Sequence, residues 1–265
     1  MLERRITEDG GIYSHEFFLA AGECNAECRM PLPMLVSRLI RVATEHANVM
    51  NLGFSHFAPE GRGWVLTKLA VEMSRYPQVN ENYTIKTWME EANKLLSFRA
   101  FSIHCGDETV GYVRSEWAII DMRTRRLCDI SAVKELADSA RPDVSCPIAP
   151  PVRLTAVKGG RQSNYTFGYC DVDFNRHVNT VRYIERLMDQ WPIEHYDRYQ
   201  VSRFDVTFMR ECHYGATVEI KVDDADPADS RAEIAEGAVV HCRARFRFSE
   251  FNAKDIKLDI NTFIN

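Results

Sequence analysis

Paired metal ligands are missing from this sequence. Of its eight cysteines (Cys24, Cys28, Cys105, Cys128, Cys146, Cys170, Cys212 and Cys242) only Cys24 and Cys28 lie close together, and no C-x-x-C pair occurs. A zinc site usually declares itself by short ligand spacing and a disulfide framework by a short, cysteine-dense chain, so neither is expected, and no metal or cofactor is called for. Reduced, mostly buried thiols in a cytoplasm are the expectation. Basic excess is also lacking: a net charge of −5 gives none of the positive field that phosphate backbones require, which excludes nucleic acid as a first partner. Nor is there a long apolar run. The most apolar helical stretch, 32–49, is broken by Arg38, Arg41, Glu45 and His46, so no membrane span is expected. Met1 to Glu16 mixes charges of both signs around no apolar centre, the pattern of neither a signal peptide nor an anchor.

What is present is ordinary globular usage, 45% apolar and 27% charged over 265 residues, enough for one large domain or two small ones. Pro31 and Pro33 open a segment, Met34 to Leu52, in which Leu35, Leu39, Val42, His46 and Val49 recur at helical spacing until Gly53 ends it. Alternating runs follow at Val65–Met73, Tyr83–Met89, Phe98–Ile103 and Gly111–Ile120, with Gly106-Asp107 as a turn, and predict an antiparallel sheet. The order recurs: Val178, Val181, Ile184, Met188 and Trp191 mark a helix closed by Pro192, then strands are expected at Val201–Cys212, Thr217–Val222 and Val239–Phe248. Pro142, Pro147, Pro150 and Pro151 make the stretch between the halves a linker. Without a gap, Val71, Arg75, Ile85 and Lys86 match Val206, Arg210, Ile220 and Lys221 at one shift (206 − 71 = 135), which indicates a duplicated unit. The fold class is therefore α+β: two tandem hot-dog units, each a long helix wrapped by a curved antiparallel sheet. The expected division is 1–138, a linker 139–160, and 161–265.

Chemistry concentrates between Asp171 and Ile184. Asp173, Asn175 and His177 alternate, so an extended backbone would aim all three to one side just before a helix. Asn175 with helix-start N–H groups suits a developing oxyanion, His177 suits proton exchange near neutral pH, and Asp173 suits orienting either. A calcium loop fails, because Arg176 stands where glycine is required and Arg182 where a bidentate glutamate should be. A plain capped helix, with Asn179 as N-cap and His177 merely packed, stays open. A second cluster, Arg210-Glu211-Cys212, has Tyr76 and Pro77 at the matching first-half positions of Glu211 and Cys212, so the polar pair exists in one copy only. Simple alternation would group Cys212 with Phe204, Val206 and Phe208, and Glu211 with Asp205, unless a bulge or the strand's end reverses the parity.

At these residues the chain resembles the acyl-acyl-carrier-protein thioesterases of plant plastids and bacteria. The likeness rests on Asp171–Ile184 and Arg210-Glu211-Cys212, and in the first half on Arg75-Tyr76-Pro77, Thr87-Trp88, Ser115-Glu116-Trp117 and Thr124-Arg125-Arg126-Leu127. It departs from the common pattern at Arg176 and Thr180. The resemblance implies release of free fatty acid from acyl carrier protein bearing an acyl-phosphopantetheine. It implies a second unit supplying the catalytic set Asp173, Asn175, His177 and Glu211, a first unit shaping the acyl pocket, and Cys212 as the alternative nucleophile of an older view. Pocket depth would rest on residues such as Trp64, Met73, Trp88 and Trp117. Arg176, Arg182 and Arg186 are candidates for docking the acidic carrier, against a solvated face in which Arg182 and Arg186 pair with Glu185 and Asp189. A coenzyme A donor, an enoyl-thioester hydratase and a non-catalytic acyl-binding regulator are the competing functions, and a homodimer is left open.

Overall fold

The computed structural model describes residues 5–6 and 11–250; the remainder of Met1–Glu16 and residues 251–265, the end of the expected second unit, lie outside the described residues. The first half runs β1 (Arg5–Ile6), β2 (Ile12–Phe18), α1 (Leu32–Val49), α2 (Phe54–Phe57), β3 (Arg62–Met73), β4 (Asn82–Ala92), β5 (Ser97–Cys105), β6 (Glu108–Asp121) and α3 (Lys134–Asp138). The second runs β7 (Arg161–Thr166), α4 (Thr180–Met188), α5 (Ile193–Tyr196), β8 (Tyr199–Phe208), β9 (Thr217–Asp223), β10 (Asp229–Glu236) and β11 (Val239–Glu250). Among the described residues, all eleven strands join one antiparallel sheet in the order β1-β2-β4-β5-β6-β3-β8-β11-β10-β9-β7. Each half thus repeats the same strand order, mirrored about β3 and β8.

That central pairing has a register that explains the repeat. Leu69 faces Val206, Ala70 faces Asp205 and Val71 faces Phe204. Ala70 and Asp205 are also related by the duplication shift (205 − 70 = 135), so a local two-fold passes through their pair. The two units pair through equivalent strands of one chain. The first-half counterparts of the polar cluster became structural: the buried Tyr76 hydroxyl donates to Val201 O at 2.9 Å, and Arg75 is bound by Glu81 and Glu108.

Helix α1 begins two residues earlier than its periodicity predicted, because Pro33 fits a first turn whose N–H groups need no partner. It buries Leu35, Val36, Leu39, Val42 and His46, but Val49 is exposed. Its end is set by Asn51 at φ 59°, with Leu52 N donating to Ala47 O at 2.8 Å, and Gly53 lies beyond the helix. Helix α4 is capped by Asn179, whose side chain accepts from Val181 N at 3.0 Å, and stops at Met188 while Trp191 is buried past its end. The two helices pack on each other, and α1 also on β2 and β4.

The proline-rich stretch 139–160 holds no helix or strand, yet it is packed. Cys146 and Ile148 bury with Trp88 and Ala100, and Trp88 donates its indole N–H to Val144 O at 3.0 Å. At the seam, Asp205 accepts from Val152 N at 3.1 Å while Arg203 donates to Pro150 O at 3.1 Å and grips Asp205 at 2.7 Å. Removing one partner of a buried pair strands the other charge. Asp205→Ala should therefore cost about 3 kcal/mol of unfolding free energy, the low end of that range because Glu72 still contacts Arg203. Urea unfolding measures it, and a change below about 0.5 kcal/mol, the usual size for a surface site, would contradict this role.

Candidate active site

Residues 171–179 fold as a tight hairpin in place of the extended run the alternation suggested. Asp173 N donates to His177 O at 2.8 Å, Arg176 N donates back to Asp173 O at 3.0 Å, and Arg176 takes the left-handed φ of 64° that the turn demands. The Asp173 carboxylate sits inside the turn, accepting from Asn175 N at 2.8 Å and His177 N at 3.3 Å. Asp173 therefore shapes the loop that presents its neighbours. The base of the hairpin is pinned by buried Asp171, which accepts from Gly168 N and from the Tyr165 hydroxyl.

The returning arm of the hairpin pairs with the stretch after β8. His177 bridges His213, and Val178 N donates to Cys212 O at 2.8 Å. Because β8 ends at Phe208, the alternation does not carry on to 211 and 212. Glu211 turns outward, and His177 Nδ1 comes within 3.5 Å of its carboxylate. Cys212 turns into the core, 1% exposed, and burial pushes its thiol up to about 11. Asn175 stands exposed on the hairpin, and both it and Asp173 line the same cavity as His177 and Glu211.

Two groups beside His177 and Glu211 escaped the sequence reading. Arg125, inside the Thr124-Arg125-Arg126-Leu127 motif of the first half, ion-pairs with Glu211 of the second. Its loop is built for this: Asp121 caps the N–H groups of Arg123 and Thr124 at 3.0 and 2.6 Å, and Arg125 itself sits at φ 59°. Burial holds the His177 pKa below its ordinary value, and the Arg125 guanidinium and neighbouring His213 push it the same way, against Asp173. The imidazole is thus kept neutral and able to accept a proton at pH 7. His213, whose ring meets that of His177 at 5.0 Å, was also unnamed by any motif.

These groups border a cavity of about 1400 Å³ whose far lining comes from the first half: Ala43, Ala47, Trp64, Met89 and Trp117 among others. Of the tryptophans expected there, Trp64 and Trp117 line it, whereas Trp88 belongs to the linker cluster and Met73 to the main core. Arg99 also lines it, donating to His46 Nδ1 at 2.8 Å and Thr87 at 3.1 Å; burial lowers Arg99 to about 10, and burial plus that guanidinium lowers His46 to about 3. His46 is therefore a neutral acceptor, held as a structural partner of Arg99.

Arg182 pairs with Glu185 at 2.6 Å and Arg186 with Asp189 at 3.1 Å, while Arg186 also lies over the Tyr165 ring. Arg176, at the exposed hairpin tip, has no ion-pair partner among the described residues. Replacing Arg125 with Gln removes a positive charge that disfavours the imidazolium, so the His177 pKa should rise. An NMR titration of the ring protons reads this directly, and an unchanged or lower value would refute the assigned coupling.

Known proteins place these observations in context. The sequence models of the acyl-ACP thioesterase N-terminal domain and C-terminal domain match residues 10–137 and 155–250. Similar curated proteins include an acyl-[acyl-carrier-protein] hydrolase FATB1, chloroplastic, of Cuphea viscosissima, 26% identical over 86% of this chain and 57% of that protein. Another is an oleoyl-acyl carrier protein thioesterase, chloroplastic, of Coriandrum sativum, 25% identical over 81% of this chain and 63% of that protein. The chain thus spans roughly three fifths of the length of these plant relatives. Among solved structures, an acyl-ACP thioesterase from Bacteroides thetaiotaomicron superposes with a TM-score of 0.84 at 28% identity, covering 92% of this chain and all of that one. The 12:0-ACP thioesterase from Umbellularia californica shares the fold at 17% identity, with a TM-score of 0.81 over 91% of this chain and 98% of that one. With both family domains matched in order across most of its length, this chain belongs to the acyl-ACP thioesterase family.

Proposed function

We propose that the chain hydrolyses the thioester of a fatty acyl group carried on acyl carrier protein, releasing free fatty acid during fatty acid biosynthesis in a bacterial cytoplasm. The observation that carries this reading is the His177–Glu211 contact at the edge of a large, mostly apolar cavity, with Asn175 beside it. In this mechanism Glu211, held by Arg125, orients a water and neutral His177 takes its proton as the oxygen attacks the thioester carbonyl. The Asn175 amide stabilises the developing oxyanion. The imidazolium then gives the proton to the departing thiolate, so the C–S bond is exchanged for C–O and both free acid and free thiol result. Asp173 acts by holding the hairpin. Cys212 is poorly suited to attack, since its thiolate is disfavoured by burial and it faces away from the cavity.

Of the three arginines considered for carrier docking, Arg176 fits best, because it has no ion-pair partner among the described residues while Arg182 and Arg186 are already neutralised by Glu185 and Asp189. The β3–β8 seam supplies within one chain the pairing of two units, so a homodimer is not required for the site. No helix among the described residues is long and apolar enough to cross a membrane.

His177→Ala and Glu211→Gln should each lower kcat by roughly 10²–10⁴-fold, the usual worth of acid–base assistance, while Cys212→Ala keeps most of the activity. Thiol release from carrier-bound and coenzyme A-bound acyl chains of varied length checks this. Near wild-type turnover in His177→Ala, or loss confined to Cys212→Ala, would overturn the mechanism. Arg176→Glu should raise KM for acyl carrier protein, most at low salt, and leave a small acyl thioester unaffected. Equal loss on both substrates would end the docking assignment.

A further inference from the structure

Beneath the catalytic segment, three electron-pair donors converge that the mechanism does not use. Cys212 Sγ, a Glu236 carboxylate oxygen and a His241 ring nitrogen all lie within 4.8 Å of one another. Cys212 and His241 are 1% and 3% exposed, whereas Glu236, the last residue of β10, opens to solvent. The His241 ring is oriented by its other nitrogen: Nδ1 lies 3.1 Å from the Arg210 carbonyl oxygen, which can only accept, so the proton is on Nδ1 and Nε2 carries a lone pair. That buried Nε2 has no hydrogen-bond partner among the described residues, and the nearest Glu236 oxygen stands off at 3.9 Å. An imidazole that donates Nδ1–H to a backbone carbonyl and turns a bare Nε2 toward a thiol and a carboxylate is arranged as a metal-ligating histidine is.

We propose that Cys212, Glu236 and His241 bind one divalent cation of the zinc class, tying the segment that carries Glu211 to the β10–β11 hairpin. The sulfur, nitrogen and oxygen donor set suits that class, with solvent completing a fourth position on the Glu236 side. Donors bound tetrahedrally at about 2.0–2.3 Å lie roughly 3.3–3.8 Å apart. The His241 and Glu236 donors already stand 3.9 Å apart, and drawing the whole cluster from its outer limit of 4.8 Å to tetrahedral spacing needs a shift of about 1–1.5 Å. On binding, the Cys212 S–H bond breaks, its proton leaves to solvent and the S–metal bond forms. The metal must displace that proton from a thiol that burial and the nearby Glu236 charge hold high, so affinity should rise with pH. The ligands come from sequence positions 24 and 5 residues apart (236 − 212 = 24; 241 − 236 = 5), a spacing no ligand motif would have flagged. The inference rests on this cluster alone and stands or falls apart from the proposed hydrolysis.

The test titrates metal-free, full-length protein with cobalt(II) and follows the thiolate-to-cobalt charge-transfer absorption. The expected result is one equivalent bound with that band, its displacement by zinc(II), and loss of the band in Cys212→Ser and His241→Gln. Circular dichroism establishes that each variant is folded. If the buried variants do not fold, Glu236→Gln, at an exposed position, decides: weaker cobalt binding supports the site. Unchanged affinity in Glu236→Gln, cobalt uptake without a thiolate band, or no uptake by the wild type would overturn it.

Discussion

Five residues of β3, Lys68 to Glu72, pair with Arg203 to Thr207 of β8, and the register of that pairing sets how the two halves that line the site meet. Strand β3 also pairs with β6, after which the Arg125 loop follows; β8 leads within three residues to Glu211. Slipping the seam by one residue would turn Phe204 and Val206 out and Asp205 into the main core. It would also carry Arg125 away from Glu211. The alternation of apolar and polar residues in β8 thus secures both the core and the approach of the two halves. Arg203 and Asp205 lock the opposite face by binding the backbone of the segment joining the halves.

Two of the guanidinium groups that line the cavity are tied to partners. Arg99 is held between His46 and Thr87, with His46 kept neutral. Arg125 meets a carboxylate at the cavity's rim and, in the same position, helps keep His177 unprotonated. Duplication followed by divergence accounts for the asymmetry, since the first-half equivalent of Glu211, Tyr76, became a buried strut donating to Val201 of the other unit.

Much of this was legible in the residues. Helical periodicity located both long helices, alternation located seven strands, and the repeat shift of 135 anticipated the pair Ala70–Asp205 at the seam. The strands that escaped lack an unbroken alternation of apolar and polar residues. Strand β7 (RQSNYT) is an edge strand with one aromatic, β10 buries serine and alanine, and β2 carries His15 and Glu16 among its apolar residues. The motif Asp173-x-Asn175-x-His177 is gathered by a hairpin, not by the extended strand that its alternation suggested. Arg125 could not have been assigned from its neighbours, because its partner is 86 residues away in the chain (211 − 125 = 86) and only the sheet order brings them together. Strand parity could not choose between Glu211 and Cys212 because both follow the last residue of β8.

Under the proposed mechanism, water attacks a carrier-bound thioester directly at the His177–Glu211 contact. Single-turnover hydrolysis of acyl carrier protein thioester in heavy-oxygen water, with mass spectrometry of product and protein at each time point, tests it most directly. Direct attack by water yields fatty acid bearing one heavy oxygen, carrier protein with a free thiol, and no acyl adduct on the enzyme at any time. An acyl group accumulating on Cys212, or no fatty acid released from any carrier-bound chain, would contradict it.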